Sequence, residues 1–338
     1  FIYCNHVIKP ALIGLAGPWV SGGIEFNWPQ HHRPTTFMPL DAFLEEGVDG
    51  SRTVWVGETE PLYGMRAMAG ITLHPGRSCL RVRVRAYNPT PFPQPFMWWA
   101  NLGVPATEGY RILFPPDIRH VASHDRAFIS PWPQVEVRRP DGSLYETCDG
   151  SWYRNHRASG SFMAVDGGSD FGFFQGYDTI REAGVVHVAD PFLSSGKKLF
   201  TWGNSEFAEA WSDNLTDGDG PYLELMTGVY TDNQPDFSWI LPHETRTFVQ
   251  CWYPVQAIGP AVNASEDAAV SLDLSGPDIR LGFHATGDFR HCRAVLSDGE
   301  RVVWDQRLDL DPAHPFTTSR PRPEAFREET CRIALYAE

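Results

Sequence analysis

Short runs in which apolar and polar residues alternate constrain this chain more than any other feature. In the segment 79–88, leucine, valine and alanine at even positions alternate with arginine at odd positions, which is the period of a half-buried strand. Helical periodicity is scarce, and its best short candidate is the segment 204–215. The 30 glycines and 28 prolines are spread along the chain, and turns at that frequency suit antiparallel sheets. The sequence therefore predicts an all-β protein.

The composition of the sequence and the spacing of its predicted strands change after Gly259. Before it, tryptophan-rich loops separate the strands; after it, short strands follow closely, and Asp298–Gly299 is typical of a hairpin turn. Because 338 residues exceed the usual size of one domain, we expect a large β domain at 1–259 and a small β-sandwich at 260–338. The chain begins in an apolar segment without Met and stops in a strand-like run. We therefore expect the first strands of the large domain to be missing and the small one to be truncated.

The net charge of −14 limits the ligands that this chain can attract. Nucleic acids and anionic membranes both need basic surface, so neither is expected as a partner. The sequence contains no P-loop, Rossmann glycine pattern, GxSxG elbow or HExxH motif. No cofactor is predicted, although the acidic stretch Asp217–Gly220 leaves a bound divalent cation open.

The cysteines are far apart and include no CxxC pair, which disfavours a zinc ribbon or a redox dithiol. Each lies in or near an apolar run, where a buried thiol behaves as a small hydrophobic side chain. We expect free thiols and a cytoplasmic protein. The six residues are Cys4, Cys79, Cys148, Cys251, Cys292 and Cys331.

The segment 21–37 concentrates reactive side chains where Pro29 and Pro34 exclude a helix or a central strand. Binding residues are frequent on loops held by a rigid sheet, so we interpret it as one wall of a ligand site. The alternative is a structural loop whose polar groups satisfy one another. Adjacent residues of an extended chain point to opposite faces, so one of His31 and His32 at most should face a ligand. The candidates are Glu25, Asn27, Trp28, His31, His32 and Arg33.

Two further segments place titratable residues in apolar strands. His187 and Asp190 end the run 184–190, where His187 could act as an acid, a base or a metal ligand, or could equally bond a backbone carbonyl at a turn. Glu224 lies inside the apolar strand 222–228. If Glu224 is buried, its pKa rises, which suits acid–base chemistry. The alternative is that Glu224 lies on the solvent-exposed face of a half-buried sheet. Trp202 and Asn204 precede it and suit a sugar ligand. Asn101 is a weaker candidate.

Several long motifs of the chain resemble those of one family. They are IKPALIGLAGPWVSGGIEFNWPQHHRPTTFMP, TVWVGETEP, HVADP, GKKLFTWGN and NLTDGDGPYLELMTGVYTDNQPDFSWILPHETRTF. The chain resembles, over 1–255, uncharacterised bacterial proteins with a galactose-mutarotase-like domain, usually followed by tetratricopeptide repeats, whose helices we do not expect within residues 1–338. The resemblance implies a large antiparallel β-supersandwich and a mono- or oligosaccharide ligand.

The resemblance also bears on the reaction. Aldose epimerases pair a His acid with a Glu base, and the late Glu motif of true mutarotases has no clean counterpart here. The segment 231–237 lies near its expected place, which adds three substrate-binding candidates. They are Asp232, Gln234 and Asp236.

These observations leave two classes of function open. The first is an enzyme, aldose epimerase-like or glycoside hydrolase-like. Its base or nucleophile would be Glu25 or Glu224, and its acid His31, His32 or His187. Arg33, Asn204 and the other binding candidates would hold hydroxyl groups. The second is a non-catalytic sugar-sensing or scaffold module with protein partners bound through the repeats. For the enzyme we expect Glu25, one of His31 and His32, His187 and Glu224 to converge in one tryptophan-lined pocket.

Overall fold

Antiparallel strands dominate the computed structural model, which describes residues 1–13, 17–29, 32, 35–36, 38–123, 128–138, 143–166, 168–230 and 237–337. Strands account for 54% of the structure and helix for 5%, so the all-β prediction is confirmed. Within the described ranges, α1 (Glu206–Leu215) is the only α-helix, at the segment that the sequence favoured. Short 3₁₀ turns lie at Tyr153–Asn155 and Glu328–Thr330. None of the helices described is long and apolar enough to cross a membrane.

The strands up to residue 256 are short and follow the alternating runs of the sequence. In the first part of the chain they are β1 (Ala11–Ile13), β2 (Gly17–Trp19), β3 (Ile24–Asn27), β4 (Asp41–Glu46), β5 (Arg52–Thr59), β6 (Arg66–Leu73), β7 (Leu80–Tyr87), β8 (Gln94–Phe96), β9 (Trp98–Pro105), β10 (Tyr110–Leu113), β11 (His120–Ser123), β12 (Ile129–Pro131), β13 (Gln134–Arg138) and β14 (Leu144–Asp149). They continue with β15 (Gly160–Ala164), β16 (Phe173–Asp178), β17 (Ala183–Ala189), β18 (Gly196–Thr201), β19 (Tyr222–Val229), β20 (Ser238–Ile240) and β21 (Thr245–Gln256).

Two large antiparallel sheets form the main body. The eight-stranded sheet has the order β10-β16-β17-β21-β7-β6-β5-β4, and the seven-stranded sheet the order β12-β11-β15-β18-β19-β9-β3. The pairs β1-β2, β13-β14 and β8-β20 form small ribbons. Seven of the thirteen neighbouring pairs in the large sheets join strands that are not consecutive in the chain, so long-range pairing holds each sheet together.

Apolar side chains from both sheets fill the space between them. On β7, Val82, Val84 and Ala86 are buried in this core, as the alternation predicted. Trp98 on β9 bridges the two layers, because its ring lies 5.3 Å from that of Phe248 on β21. Side chains along a β-strand point alternately to the two sides of the sheet, so every second residue of these strands enters the core.

A separate sandwich, here called the C-terminal sandwich, begins at residue 261. Its four-stranded sheet orders β22 (Ala261–Ala264), β23 (Ala268–Asp273), β24 (Asp278–Ala285) and β27 (Phe316–Pro321). Its three-stranded sheet orders β26 (Arg301–Leu310), β25 (Phe289–Asp298) and β28 (Cys331–Tyr336). The predicted Asp298–Gly299 hairpin joins β25 to β26, with Gly299 at φ 59°, a left-handed conformation that glycine adopts without a steric penalty.

Two interior strands of the seven-stranded sheet, β19 and β9, are covered on both faces. Every residue of β19 is buried, and so is all of β9 except Pro105. One face of these strands packs on the core described above, and the opposite face, here called the outer face, lies beneath loops and the β13-β14 ribbon. A sheet buried on both faces can hold titratable side chains away from water, which is the setting that shifts their pKa values.

Candidate functional site

A cavity of about 740 Å³ lies against the outer face of the seven-stranded sheet. This volume is within the range of small-molecule sites. Its floor is made by side chains of β18 and β19, and its walls by the β13-β14 ribbon and the segment 155–162. The cavity thus collects residues that are more than a hundred positions apart in the sequence.

Strand register fixes which side chains form the floor. Phe200 on β18 lies opposite Glu224 on β19, and Lys198 lies opposite Met226. All four line the cavity, because residues two apart on a strand share a face. The residues between them, such as Leu225, point into the core.

Aromatic rings form one end of the cavity. Trp202 stacks on Trp211 of α1, with ring centroids 4.5 Å apart and planes 10° from parallel. Trp19 lies 6.5 Å from Trp202 and stacks on Tyr222 at 6.0 Å. The prediction that Trp202 lines the pocket agrees with this geometry, whereas Trp19 was not among the predicted candidates.

Glu25 and His32 form a hydrogen-bonded pair beside this aromatic end. The Nδ1 atom of His32 lies 2.8 Å from Oε1 of Glu25, and Asn101 on β9 donates to Oε2 at 3.1 Å. A carboxylate oxygen accepts hydrogen bonds, so this pairing assigns the donor N–H to Nδ1 and lets Glu25 orient the ring. His32 itself lines the cavity, and Glu25 supports it from β3.

Burial shifts the proton affinities of the floor residues. Glu224 is 6% exposed, and burial, with a further contribution from the charge of Glu25, raises its pKa to about 7. Burial lowers the pKa of Lys198 to about 7, although the carboxylates of Glu224 and Glu25 oppose this shift. Both side chains can therefore exchange protons near neutral pH.

Three buried polar atoms on the outer face have no hydrogen-bond partner among the described residues. They are Nδ2 of Asn27, Nε1 of Trp99 and Oδ1 of Asn101. Their positions on β3 and β9 share the face of Glu25. A buried polar group without a partner costs about 1–3 kcal/mol, so an internal water molecule that satisfied these groups would gain correspondingly.

His187 does not converge with these residues, and that expectation is wrong. It is 3% exposed, its ring lies 5.0 Å from that of Trp252, and its Nε2 lies 3.2 Å from Nε2 of Gln250. The same Gln250 amide donates to Thr227. The side chain of Thr227 lies on the opposite face of β19 from that of Glu224. His187 thus lies in the core between the sheets, where burial lowers its pKa to about 3.

Other predicted residues lie outside the cavity as well. Trp28 is buried in the core between the sheets, because it alternates with Asn27 along the chain. Asp190 caps a turn by accepting a hydrogen bond from the backbone of Phe192 at 2.9 Å. Asn204 donates to the carbonyl of Arg154 and so supports the segment 155–162.

Some of the predicted site residues cannot be placed. His31, Arg33, Asp232, Gln234 and Asp236 lie outside the described residues.

A second groove, of about 380 Å³, lies at the β4 edge of the eight-stranded sheet. Phe43 and Trp55 stack there at 6.1 Å, and Arg83 lies over Trp55 at 5.0 Å. We place the candidate site in the larger cavity, because it combines aromatic rings with buried groups whose pKa values are shifted toward neutral pH.

The fold is similar to several solved structures. A protein containing tetratricopeptide repeats from Parabacteroides distasonis is 27% identical, with a TM-score of 0.62 over 75% of this chain and 41% of that one. This chain therefore spans less than half the length of that protein. A putative mutarotase from Salmonella typhimurium is 8% identical, with a TM-score of 0.49 over 76% of this chain and 80% of that one. A galactose mutarotase-like protein from Clostridium acetobutylicum is 12% identical, with a TM-score of 0.42 over 64% and 67% of the two chains.

The sheets and their order define a large antiparallel β-sandwich. The chain belongs to the family described as domain of unknown function DUF5107, whose model matches residues 1–255. A second model, described as the second domain of YphG-like proteins, matches residues 263–338.

Proposed function

We propose that the large cavity binds a mono- or oligosaccharide and that Glu224 and His32 exchange protons with it as acid and base. The observation that carries this proposal is the arrangement of a buried carboxyl with a pKa near 7 and an imidazole held by a second carboxyl at one cavity. A pair of titratable groups in environments that separate their roles is the usual basis of acid–base catalysis.

The walls of the cavity suit a neutral sugar. A pyranose has apolar C–H faces and a rim of hydroxyl groups, so it needs both flat rings and hydrogen-bonding groups. Trp19 and Trp202 offer the rings. Lys198 and Glu224, on the floor of the cavity, offer hydrogen-bonding groups. The net charge of −14 does not repel such a ligand.

Aldose 1-epimerisation fits this pair of groups. Protonated Glu224 would donate its proton to the ring oxygen, while Nε2 of His32 takes the proton of the anomeric hydroxyl. The bond between C1 and the ring oxygen then breaks to give the open aldehyde. Rotation about the C1–C2 bond and the reverse proton transfers close the ring as the other anomer, so the two groups recover their starting states and no further reactant is consumed.

Glycoside hydrolysis suits the geometry less well. That reaction needs two carboxyl groups facing the scissile bond. Both oxygens of Glu25 already accept hydrogen bonds, one from His32 and one from Asn101. Glu25 is therefore placed to orient His32 rather than to attack a sugar.

The turnover of aldoses by the purified chain tests this proposal. We expect anomeric exchange, followed by NMR or polarimetry over a panel of monosaccharides, to be faster than in buffer. Glu224→Gln should lower the rate by roughly 10²–10⁴-fold, since one proton transfer is lost. Glu209→Gln, on the exposed side of α1, is the matched control and should leave the rate unchanged.

The outcomes separate the alternatives. Full activity in Glu224→Gln would refute its role as the acid. Sugar binding without turnover would instead support the sensing module, for which the similarity to a protein with tetratricopeptide repeats gives a context. We further propose that the protein is cytoplasmic and that protein partners bind it through tetratricopeptide repeats.

A further inference from the structure

A cluster of metal-ligating side chains lies far from the cavity, where the C-terminal sandwich packs on the eight-stranded sheet. Cys79 precedes β7 and Cys251 lies on the neighbouring strand β21; both are 3% exposed, and their sulfur atoms lie within 4.8 Å of each other. Glu266, in the turn between β22 and β23, reaches them from the C-terminal sandwich. Residues from both sandwiches surround the pair of thiols.

The ligand atoms of this cluster are already close together. The sulfur atoms of Cys79 and Cys251 and a carboxylate oxygen of Glu266 all lie within 4.8 Å of one another. A tetrahedral zinc ion, with Zn–S of about 2.3 Å and Zn–O of about 2.0–2.2 Å, sets its ligand atoms roughly 3.5–4 Å apart. Small side-chain movements would therefore complete the site.

We propose that Cys79, Cys251 and Glu266 bind a thiophilic divalent cation such as Zn²⁺ and that this ion fastens the C-terminal sandwich to the main body. Binding replaces the two S–H protons by S–metal bonds and releases those protons to solvent, with no oxidant or reductant involved. Three protein ligands leave one position of the ion for water or for an external ligand.

The charges around the cluster fit such an ion. Two thiolates and one carboxylate exceed the charge of a divalent cation by one negative charge. Arg81 supplies the balancing charge, since its Nε lies 3.2 Å from Oε1 of Glu266. Arg77 orients the turn, because it donates to Asp267 at 2.5 Å and to the carbonyl of Glu266 at 3.4 Å. The Glu266 side chain is 43% exposed, which gives the ion a path from solvent.

Strand register disfavours a disulfide at the same place. Cys251 lies directly opposite Arg81, so Cys79 is two residues away along the partner strand. Such diagonal neighbours are typically about 7–8 Å apart, beyond the Cα separation that a disulfide accepts without backbone movement. All six cysteines are free thiols in the structure, as the sequence predicted.

Titration of the reduced full-length chain with Co²⁺, a spectroscopic substitute for Zn²⁺, tests the site. We expect one equivalent to bind with a sulfur-to-cobalt charge-transfer band, which is lost in Cys79→Ser and in Cys251→Ser. Cys292→Ser removes a buried thiol of the C-terminal sandwich and should keep the band. A wild-type chain without the band, or serine variants that keep it, would overturn the proposal.

Glu266→Gln keeps the test decisive if the serine variants do not fold, because its partly exposed side chain is dispensable for packing. We expect at least a 10-fold weaker affinity for Co²⁺ in this variant. In the wild type, Zn²⁺ should also raise the temperature of unfolding relative to a sample with chelator. An unchanged affinity in Glu266→Gln, or no thermal shift with Zn²⁺, would count against the site.

Discussion

Lys197 and Lys198 are neighbours in the chain and face opposite sides of the seven-stranded sheet. Lys198 lines the cavity, whereas the charge of Lys197 helps to lower the pKa of His187 in the core. Burial lowers the pKa of both, to about 8 for Lys197 and about 7 for Lys198. A charged residue inside an apolar strand was the sequence signal that selected Glu224, and the same signal in GKKLF could have found Lys198.

The raised pKa of Glu224 predicts how stability depends on pH. Its carboxyl has a pKa of about 7 in the folded chain against an ordinary value of 4.5, so the folded state holds its proton more tightly. The resulting stabilisation is fully present below pH 4.5 and is lost as the pH rises through about 7. Over this window the wild type should lose about 3 kcal/mol of unfolding free energy relative to Glu224→Gln.

Urea unfolding of the two proteins at the ends of that window measures the difference. Glu209→Gln, a change on an exposed helix residue, should run parallel to the wild type. If the difference between the wild type and Glu224→Gln were independent of pH, Glu224 would have an ordinary pKa and could not serve as the acid near neutral pH.

Strand β17 shows how far the sequence determines an element. The apolar run around His187 was sufficient to predict a strand. It could not show which face His187 occupies, because a strand buried on both faces lacks the apolar–polar alternation that orients a half-exposed one. The structure resolves this through Gln250, which joins His187 on β17 to Thr227 on β19.

His187→Ala should therefore act on stability and not on the sugar site. Removing a buried ring and leaving Gln250 with one partner fewer should lower the free energy of unfolding by roughly 3 kcal/mol. The affinity for sugar, measured by calorimetry, should not change. Loss of sugar binding at unaltered stability would place His187 in the site after all.

At the scale of the whole molecule, the sequence predicted the architecture better than the site. Alternating strands, the segment of α1 and the hairpin at Gly299 depend on local patterns, and these agree with the structure. The candidate site, with Glu25 supporting His32, depends on β3, β9, β19 and β18 being neighbours in one sheet, which only long-range pairing decides. Glu25, His32 and Glu224 were chosen for their local chemistry, and strand pairing then brought them together.

A crystal structure of the full chain with a bound aldose tests the central claim most directly. We predict one pyranose ring in the large cavity, with its face against Trp19 or Trp202. Its ring oxygen should lie within hydrogen-bond distance of Glu224, and its anomeric hydroxyl within that distance of Nε2 of His32. A sugar bound at the groove beside Trp55, or in the large cavity without contact to Glu224, would contradict the account.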